Sequence, residues 1–496
     1  MLKGGDGEGR EIRELDQEIT KKEVKRSIKA LKKGKAGGID EVLPEFVKKG
    51  GKIMVNKVTE LLRGFWDEEM LPEDWGKGLV VPLYKGSGKR EDLHNYRGIT
   101  LQCVLLKIME GVVKRRLEKW AVRVGWLAEE QGGFRKRRGA PDLVWGVEEV
   151  VRRRSNEGKQ TVCVFLDVEK AYDTVWLEGL WYKLGEMGVR GKLGRIVRKM
   201  YEKVKGAVVG QEGLSEWFGI ERGVRQGGVL SPLLYSLFVN GMVEELRESG
   251  VGVVVIRSTG ERVWMGCWLY ADDVVLMAKD EEEMQKMLRM VEGYAKKWRF
   301  KFSVAKNKVV RFGKKKRGEV EGICELYGKA LEVVESFKYL GVELEKWNTW
   351  KTVAERILEK ARRKYGWLVG QMAKRRWKVS CKLRKRVWEG SIRPMLEYGV
   401  EVWEPAKSLA RKFEQLMCKG GRMVLGVGKC TASLFVRGEL GWVSMEARRN
   451  VKLLKWVGKL ERMDRNRLLS KLYWEGKENG YVVVGSVVNG GIGWKG

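Results

Sequence analysis

A single histidine in 496 residues, His94, leaves almost no room for a Cys/His zinc site or a histidine-activated nucleophile, and it reads as a surface loop residue. The seven cysteines, Cys103, Cys163, Cys267, Cys324, Cys381, Cys418 and Cys430, show no paired spacing, and no signal-peptide pattern opens the chain. The expectation is therefore a reducing intracellular compartment, not a disulfide scaffold. No apolar run approaches the ~18–20 residues that a bilayer-spanning helix needs. Acid is also in deficit: 66 Asp and Glu face 99 Lys and Arg, a net charge of +33. That excess goes beyond what solubility asks, and its natural counterpart is a polyphosphate backbone. The cations are spread along the chain and not confined to one amphipathic helix, which argues against a membrane partner.

What is present centres on three carboxylates. Tyr270-Ala271-Asp272-Asp273 sets two adjacent acids between Trp268-Leu269 and Val274-Val275-Leu276-Met277-Ala278. The β-branched and aromatic flanks predict a hairpin with both acids in its tight turn. Carboxylates between half-buried strands lose hydration and repel each other, so they ask for a hard cation or an Arg/Lys partner. An ordinary acidic β-turn is the plainer alternative. Thr161-Val162-Cys163-Val164-Phe165-Leu166 predicts a buried strand ending at Asp167, 105 positions before Asp272. Only a fold could join acids so far apart. Two Mg²⁺ ions about 3.5–4 Å apart would bridge such carboxylates in a phosphoryl transfer.

Phe165-Leu166-Asp167-Val168-Glu169-Lys170-Ala171-Tyr172-Asp173, Gly223-Val224-Arg225-Gln226-Gly227-Gly228-Val229-Leu230-Ser231-Pro232 and Tyr270-Ala271-Asp272-Asp273 resemble, in order and spacing, palm motifs A, B and C of reverse transcriptases. Their wording is most similar to the polymerases of non-LTR (LINE-type) retrotransposons. Asn95-Tyr96-Arg97-Gly98-Ile99 and Gln131-Gly132-Gly133-Phe134-Arg135 resemble fingers motifs, and Phe337-Lys338-Tyr339-Leu340-Gly341 resembles the primer grip. Ile392-Arg393-Pro394, Tyr398-Gly399 and Trp403 resemble the region beyond the thumb, so the likeness covers about residues 18–405.

The resemblance implies an RNA-directed DNA polymerase with an α/β (α+β) palm in a right-hand arrangement of fingers, palm and helical thumb. It implies that Asp167 and Asp272 hold two Mg²⁺ ions, with Mn²⁺ as a substitute, and that Asp273 stands beside them. Lys85 and Arg97 would hold the triphosphate, Tyr172 would lie under the sugar, and Gln226 and Gly227 would sit near the base and template. Lys306, or Lys308 two places on, would protonate pyrophosphate; Asn307 between them departs from the usual Thr or Ser. Phe337, Tyr339, Leu340 and Gly341 would form the primer grip. Implied partners are an RNA template, a DNA primer, dNTPs and an RNA–DNA duplex along the thumb, with the nucleus as the expected location. Nothing in the sequence speaks to oligomeric state.

The organisation expected is a frayed leader at 1–18, an N-terminal helical extension at 19–78, fingers at 79–160, a palm at 161–344, a basic thumb at 345–420 and a C-terminal connection at 421–496, read as a candidate truncation. A helix is predicted from Lys21 to Lys33, ended by Gly34. Between Lys351 and Val400 stand 15 Lys/Arg against 4 Glu, and Arg375-Arg376-Trp377-Lys378 and Lys385-Arg386-Val387-Trp388 interleave aromatics with cations. Such a surface suits a duplex backbone, the alternative being a solvated helix face with Trp turned to the core. No apurinic-type endonuclease precedes the motifs and no Cys/His cluster follows them, so the expectation is a chain that cannot make its own first DNA cut. Two rival readings stay open: an intron-encoded maturase, against which Arg225 speaks because proline is usual there, and a catalytically inactive nucleic-acid-binding remnant.

Overall fold

The computed structural model describes residues 13–86, 88–313, 322–346, 350–374 and 379–479, with side chains to 371 in the fourth segment. Residues 1–12 of the expected leader, Ser87 of the Gly/Lys loop, the Arg375–Lys378 motif and the Val/Gly-rich stretch 482–496 lie outside the described residues. The rest of the leader, 13–18, is anchored and not frayed. Leu15 is buried, Glu14 pairs with Lys119 and Arg123, and Asp16 accepts a hydrogen bond from the Leu193 amide at 2.8 Å. Helix α1 (Lys21–Ala30) starts from a Thr20/Glu23 capping box and buries Val24 and Ile28. It stops three residues short of Lys33, because Leu31 turns extended and Lys48 Nζ takes the carbonyls of Lys29 and Leu31 that further turns would have used. Helices α2 (Pro44–Lys49) and α3 (Gly51–Glu68) follow. Arg116 lies over the Trp66 ring of α3 and pairs with Glu23, tying this extension to the next long helix.

Strands β1 (Lys77–Tyr84) and β2 (Tyr96–Leu101) are antiparallel, and α4 (Val104–Arg123) and α5 (Ala140–Asn156) lead to β3 (Thr161–Asp167). After α6 (Leu177–Glu186) and α7 (Lys192–Lys199), β4 (Lys205–Val208) and β5 (Phe218–Gly219) join the first pair in a sheet of order β2-β1-β4-β5. Then come α8 (Ser231–Val239), α9 (Gly241–Glu248), the hairpin β6 (Val254–Ile256)–β7 (Arg262–Trp264), β8 (Cys267–Tyr270), β9 (Asp273–Ala278), α10 (Glu281–Lys297) and β10 (Lys308–Phe312). Short strands β11 (Glu325–Leu326), β12 (Lys329–Ala330) and β13 (Glu332–Val333) precede the hairpin β14 (Ser336–Tyr339)–β15 (Val342–Glu345).

The second sheet, β13-β10-β3-β9-β8, has β3 near its centre. Residues 161–166 of β3 are buried on both faces, as their uninterrupted apolar run predicts. Successive side chains go to two different cores. Val162, Val164 and Leu166, with Val274, Leu276 and Ala278 of β9, pack on α4 and α6 to α10; Cys163 and Phe165, with Val275 and Met277, pack on α5 and the C-terminal helices. Each buried Val or Leu contributes about 1.5–3 kcal/mol, so this strand is fixed from both sides.

Helices α11 (Lys351–Lys374), α12 (Cys381–Ser391) and α13 (Arg393–Leu396) are followed by α14 (Lys407–Leu425), α15 (Ser433–Leu440), α16 (Met445–Glu461) and α17 (Leu468–Glu478). Helix α14 runs straight through the boundary expected at 420/421, because Leu409, Phe413, Leu416, Gly420 and Val424 form one continuous buried stripe. Beyond it the chain returns to α5: Lys459 pairs with Asp142, Arg153 donates to the Leu472 carbonyl, and the Trp145 and Trp456 rings meet edge-on at 5.9 Å. On α11, Lys360, Arg363, Lys364 and Trp367 are exposed on one face, with Lys364 over the Trp367 ring at 4.8 Å. Trp388 behaves otherwise. It is fully buried against Trp442 and Tyr365, so it belongs to the core and not to a binding surface.

The first core also holds a charge. Lys183 of α6 is buried, its Nζ 3.7 Å from the Trp298 ring centre and donating to Phe238 O and Tyr294 Oη. Burial pulls its ammonium down to about 7. Since the unfolded chain binds that proton up to about pH 10.4, it holds more protons than the folded chain between pH 7 and 10, and stability gained from this group rises across that window. Thermal melts are expected to show wild type gaining, from pH 7 to 10, a few kcal/mol (about 1.4 for each tenfold difference in proton affinity) relative to Lys183→Met. Parallel pH profiles of the two proteins would contradict this.

Candidate active site

The register of the second sheet sets Asp167, the last residue of β3, directly opposite Asp273, the first of β9. Tyr270 pairs with Asp273, so the β8–β9 hairpin has a two-residue turn, Ala271-Asp272. Ala271 has φ +62°, the conformation that primed hairpin turns require at their first position and that glycine usually supplies. A non-glycine residue held there costs on the order of 1 kcal/mol or more unless its surroundings enforce it. Gln131 does so: its Oε1 accepts from Gly133 N at 2.9 Å and from Ala271 N at 3.4 Å. The backbone of 130–132 meanwhile hydrogen-bonds both the amide and the carbonyl of Leu269. Gly133 is needed for this brace, because a Cβ would stand 2.3 Å from the Ala271 amide nitrogen.

The three acids share one electrostatic field. Burial, with Asp272 and Asp167 alongside, pushes Asp273 up to about 6, and only Lys306 acts against it. Asp272 is likewise raised, chiefly by burial and then by Asp167, with Arg97 and Lys306 opposing. Lys306 Nζ stands 2.7 Å from Asp167 Oδ2. Lys308 turns instead to Glu332. The donor set, carboxylate oxygens without His or Cys, suits a hard divalent cation. The side chains as they stand do not gather three acid ligands about one point among the described residues, and an ammonium caps Asp167 where a cation would bind.

Other expected residues border this cluster. Tyr172 is half-buried in the field of Asp272 and stacks on Tyr235, ring centres 5.5 Å apart and planes 11° off parallel. Hydrogen bonds from Gly223 N to Val175 O and from Val224 N to Tyr172 O bring the loops after β3 and before α8 together. Gln226 O accepts from Thr100 N at 2.7 Å, which joins that second loop to β2, the strand carrying exposed Arg97. Lys85 is not brought to the acids: its Nζ donates to His94 O at 2.6 Å, on an exposed loop. The β14–β15 turn, Leu340-Gly341, has positive φ at both positions. Phe337 stacks on Phe165 at 4.5 Å and Tyr339 is buried against the same ring, so these two expected grip residues face the sheet, while Leu340 O accepts from Tyr398 Oη.

Two positioning residues escaped the sequence reading. Asn307 is fully buried, and its Oδ1 accepts from the Asp167 amide at 2.8 Å, so it sets the end of β3. Glu110 is buried in α4, where it accepts from Gln102 Nε2 and from the amides of Val229 and Leu230, with Arg225 Nη1 3.9 Å away. Its signal was available, a lone carboxylate within the apolar run of α4. Arg225 itself donates to Met200 O and Trp75 O, a buried pin for the same loop. Gly227 has φ +121°, and a close approach it permits is to Thr100 O, 2.7 Å from where a Cβ would stand. Gly227→Ala is expected to lower the unfolding free energy by about 1–3 kcal/mol in urea titrations, and an unchanged midpoint would refute the strain argument.

Residues 85–344 match the family described as reverse transcriptase (RNA-dependent DNA polymerase). The chain is 26% identical over 430 residues to the RNA-directed DNA polymerase from mobile element jockey of Drosophila melanogaster, covering 82% of this chain and 44% of that protein. It is 23% identical over 463 residues to a probable RNA-directed DNA polymerase from transposon X-element of the same species, covering 91% and 48%. The chain thus spans less than half the length of these relatives. Among solved structures it is similar to a telomerase from Candida albicans in complex with a fragment of telomeric RNA, at 12% identity and a TM-score of 0.42, covering 79% of this chain and 71% of that one. With a family match that takes in more than half of its length and encloses the β3 and β8–β9 aspartates, the chain belongs to the reverse transcriptase (RNA-dependent DNA polymerase) family.

Proposed function

We propose that this chain is the RNA-directed DNA polymerase of a non-LTR retrotransposon, extending a DNA primer with dNTPs on an RNA template. The observation that carries the reading is the opposition of Asp167 and Asp273 across β3 and β9, with Asp272 in the braced turn between β8 and β9. Asp167, Asp272 and Asp273 would hold two divalent cations, Mg²⁺ or in its place Mn²⁺, whose charge would acidify the primer 3′-hydroxyl and offset the charge gained by pyrophosphate. Arg97, exposed at the edge of this field, binds the triphosphate, and Lys85 reaches it only if its bond to His94 O is given up. Tyr172, backed by Tyr235, forms a floor under the sugar that a 2′-hydroxyl would strike. Gln226 and Gly227 border the base. Lys306, on release from Asp167, is placed to give a proton to the leaving group.

On this reading the sheet β2-β1-β4-β5 serves as fingers, the sheet around β3 as palm, and α11 to α13 as thumb, whose Lys360-Arg363-Lys364-Trp367 face follows the RNA–DNA duplex. The Leu340-Gly341 turn is the part of the primer grip left at the rim. As a retrotransposon polymerase the protein would act in the nucleus.

Primer extension on an RNA template with Mg²⁺ tests the reading: wild type is expected to extend, and Asp272→Asn to lose at least 10³-fold in rate, about 4 kcal/mol of barrier. If neither extends while both bind duplex, the polymerase assignment fails and a binding protein remains. Tyr172→Val is expected to raise ribonucleotide incorporation at least tenfold in the same assay. Equal discrimination in wild type and variant would remove Tyr172 from the sugar site.

A further inference from the structure

A cavity of about 560 Å³ opens between the loop that follows Gly133 and the end of α16 with the turn beyond it. Five cations line it without an ion-pair partner among the described residues: Lys114, Arg135, Lys136, Arg137 and Arg462. Lys459, Arg138 and Arg467 also line it, but their charges are answered by Asp142 and by a shared Glu129. The two acids of the wall, Glu118 and Asp464, form no ion pair with any of them. Burial first, and then the neighbouring Arg138 and Arg467, draw the Arg135 guanidinium down to about 10.

Shape adds to charge. Phe134 lines the same cavity, 46% exposed, with its backbone held left-handed at φ +58° beside the braced Gly133. An exposed aromatic among unpaired cations is the combination that binds single strands, bases on the ring and phosphates on the charges. A volume of this order suits nucleotides of one strand and not a helix. Asp167, Asp272, Asp273, Tyr172 and Arg97 take no part in the lining, and Gly133 meets Ala271 from behind the catalytic turn.

We infer that this cavity is a second nucleic-acid site, which takes phosphodiesters of a single strand, with a base on Phe134, while the primer–template cleft is filled. The charge excess selects a polyanion, and the ring selects one that carries bases. The site does not depend on the polymerase chemistry, so Asp272→Asn leaves it intact.

The test is fluorescence anisotropy of labelled oligouridylate and oligothymidylate with the full chain already saturated by an unlabelled primer–template hybrid. Binding of at least one oligonucleotide is expected, the tighter of the two identifying the strand as RNA or DNA. The combined Lys136→Gln, Arg137→Gln, Arg462→Gln variant should bind at least tenfold more weakly, with the log affinity–log salt slope reduced by about two, at about 0.7 for each phosphate no longer neutralised. Phe134→Ala should weaken binding about tenfold. Wild-type affinity in both variants, competitive loss of the oligonucleotide to the hybrid, or its displacement by inorganic phosphate or a dNTP at matched ionic strength would each overturn the proposal. If the triple variant does not fold, photocrosslinking of wild type to a thiopyrimidine-bearing oligonucleotide decides: adducts on 134–137 support the site, and adducts only elsewhere refute it.

Discussion

The arrangement of the three aspartates depends on the pairing of β3 with β9, which forces Asp167 and Asp273 to face each other at the end of a sheet packed on both sides. Burial, with the charges of Asp272 and Asp167 alongside, raises Asp273 and asks for a cation, and here Lys306 supplies one. Removing such a pair from a core would ordinarily favour folding. A sheet that keeps it has its stability carried by the apolar side chains around it, and its acids are left poised for a charged ligand.

The surroundings are arranged to hold that end of the sheet still. Asn307 fixes the amide of Asp167, Gln131 and Gly133 brace the turn at Ala271, and Glu110 holds the loop between Arg225 and Leu230. None of these groups reaches outward. Asn307, Gln131 and Glu110 each accept a backbone N–H that a strand end, tight turn or helix start leaves without a ladder partner, and so convert a loose terminus into a defined one. The C-terminal helices add a second layer of support by closing over α5, which lies on the face of the sheet opposite α4.

Much of this was legible. The continuous apolar run 161–166 announced a strand buried on both faces, the β-branched and aromatic flanks of Tyr270–Asp273 announced a hairpin, and the motif order joined them to a family that the comparison with known proteins then matched over residues 85–344. Less legible were segments whose role depends on distant partners. Residues 13–18 read as a charged leader, yet Leu15 and Glu14 find their partners in a helix a hundred positions away. Trp388 sat among cations and turned inward, because α14 and Trp442 offered it a core. Phe337 and Tyr339 carried the motif of a grip and turned to the sheet, since Phe165 lies beneath them.

The sequence by itself determined which side chains carry charge and which strands must be buried, since composition and apolar periodicity are properties of the chain read locally. It also determined the family, because motifs in fixed order survive without reference to distance. Tertiary structure alone decided that Lys306 and not Lys308 meets Asp167, that Gly227 yields space to a carbonyl of β2, and that a cluster of cations behind the turn encloses a cavity. The reason is the same in each case: hydrogen bonds, ion pairs and close approaches act over a few ångströms, and which residues come that close is set by sheet register and helix packing, not by their separation along the chain.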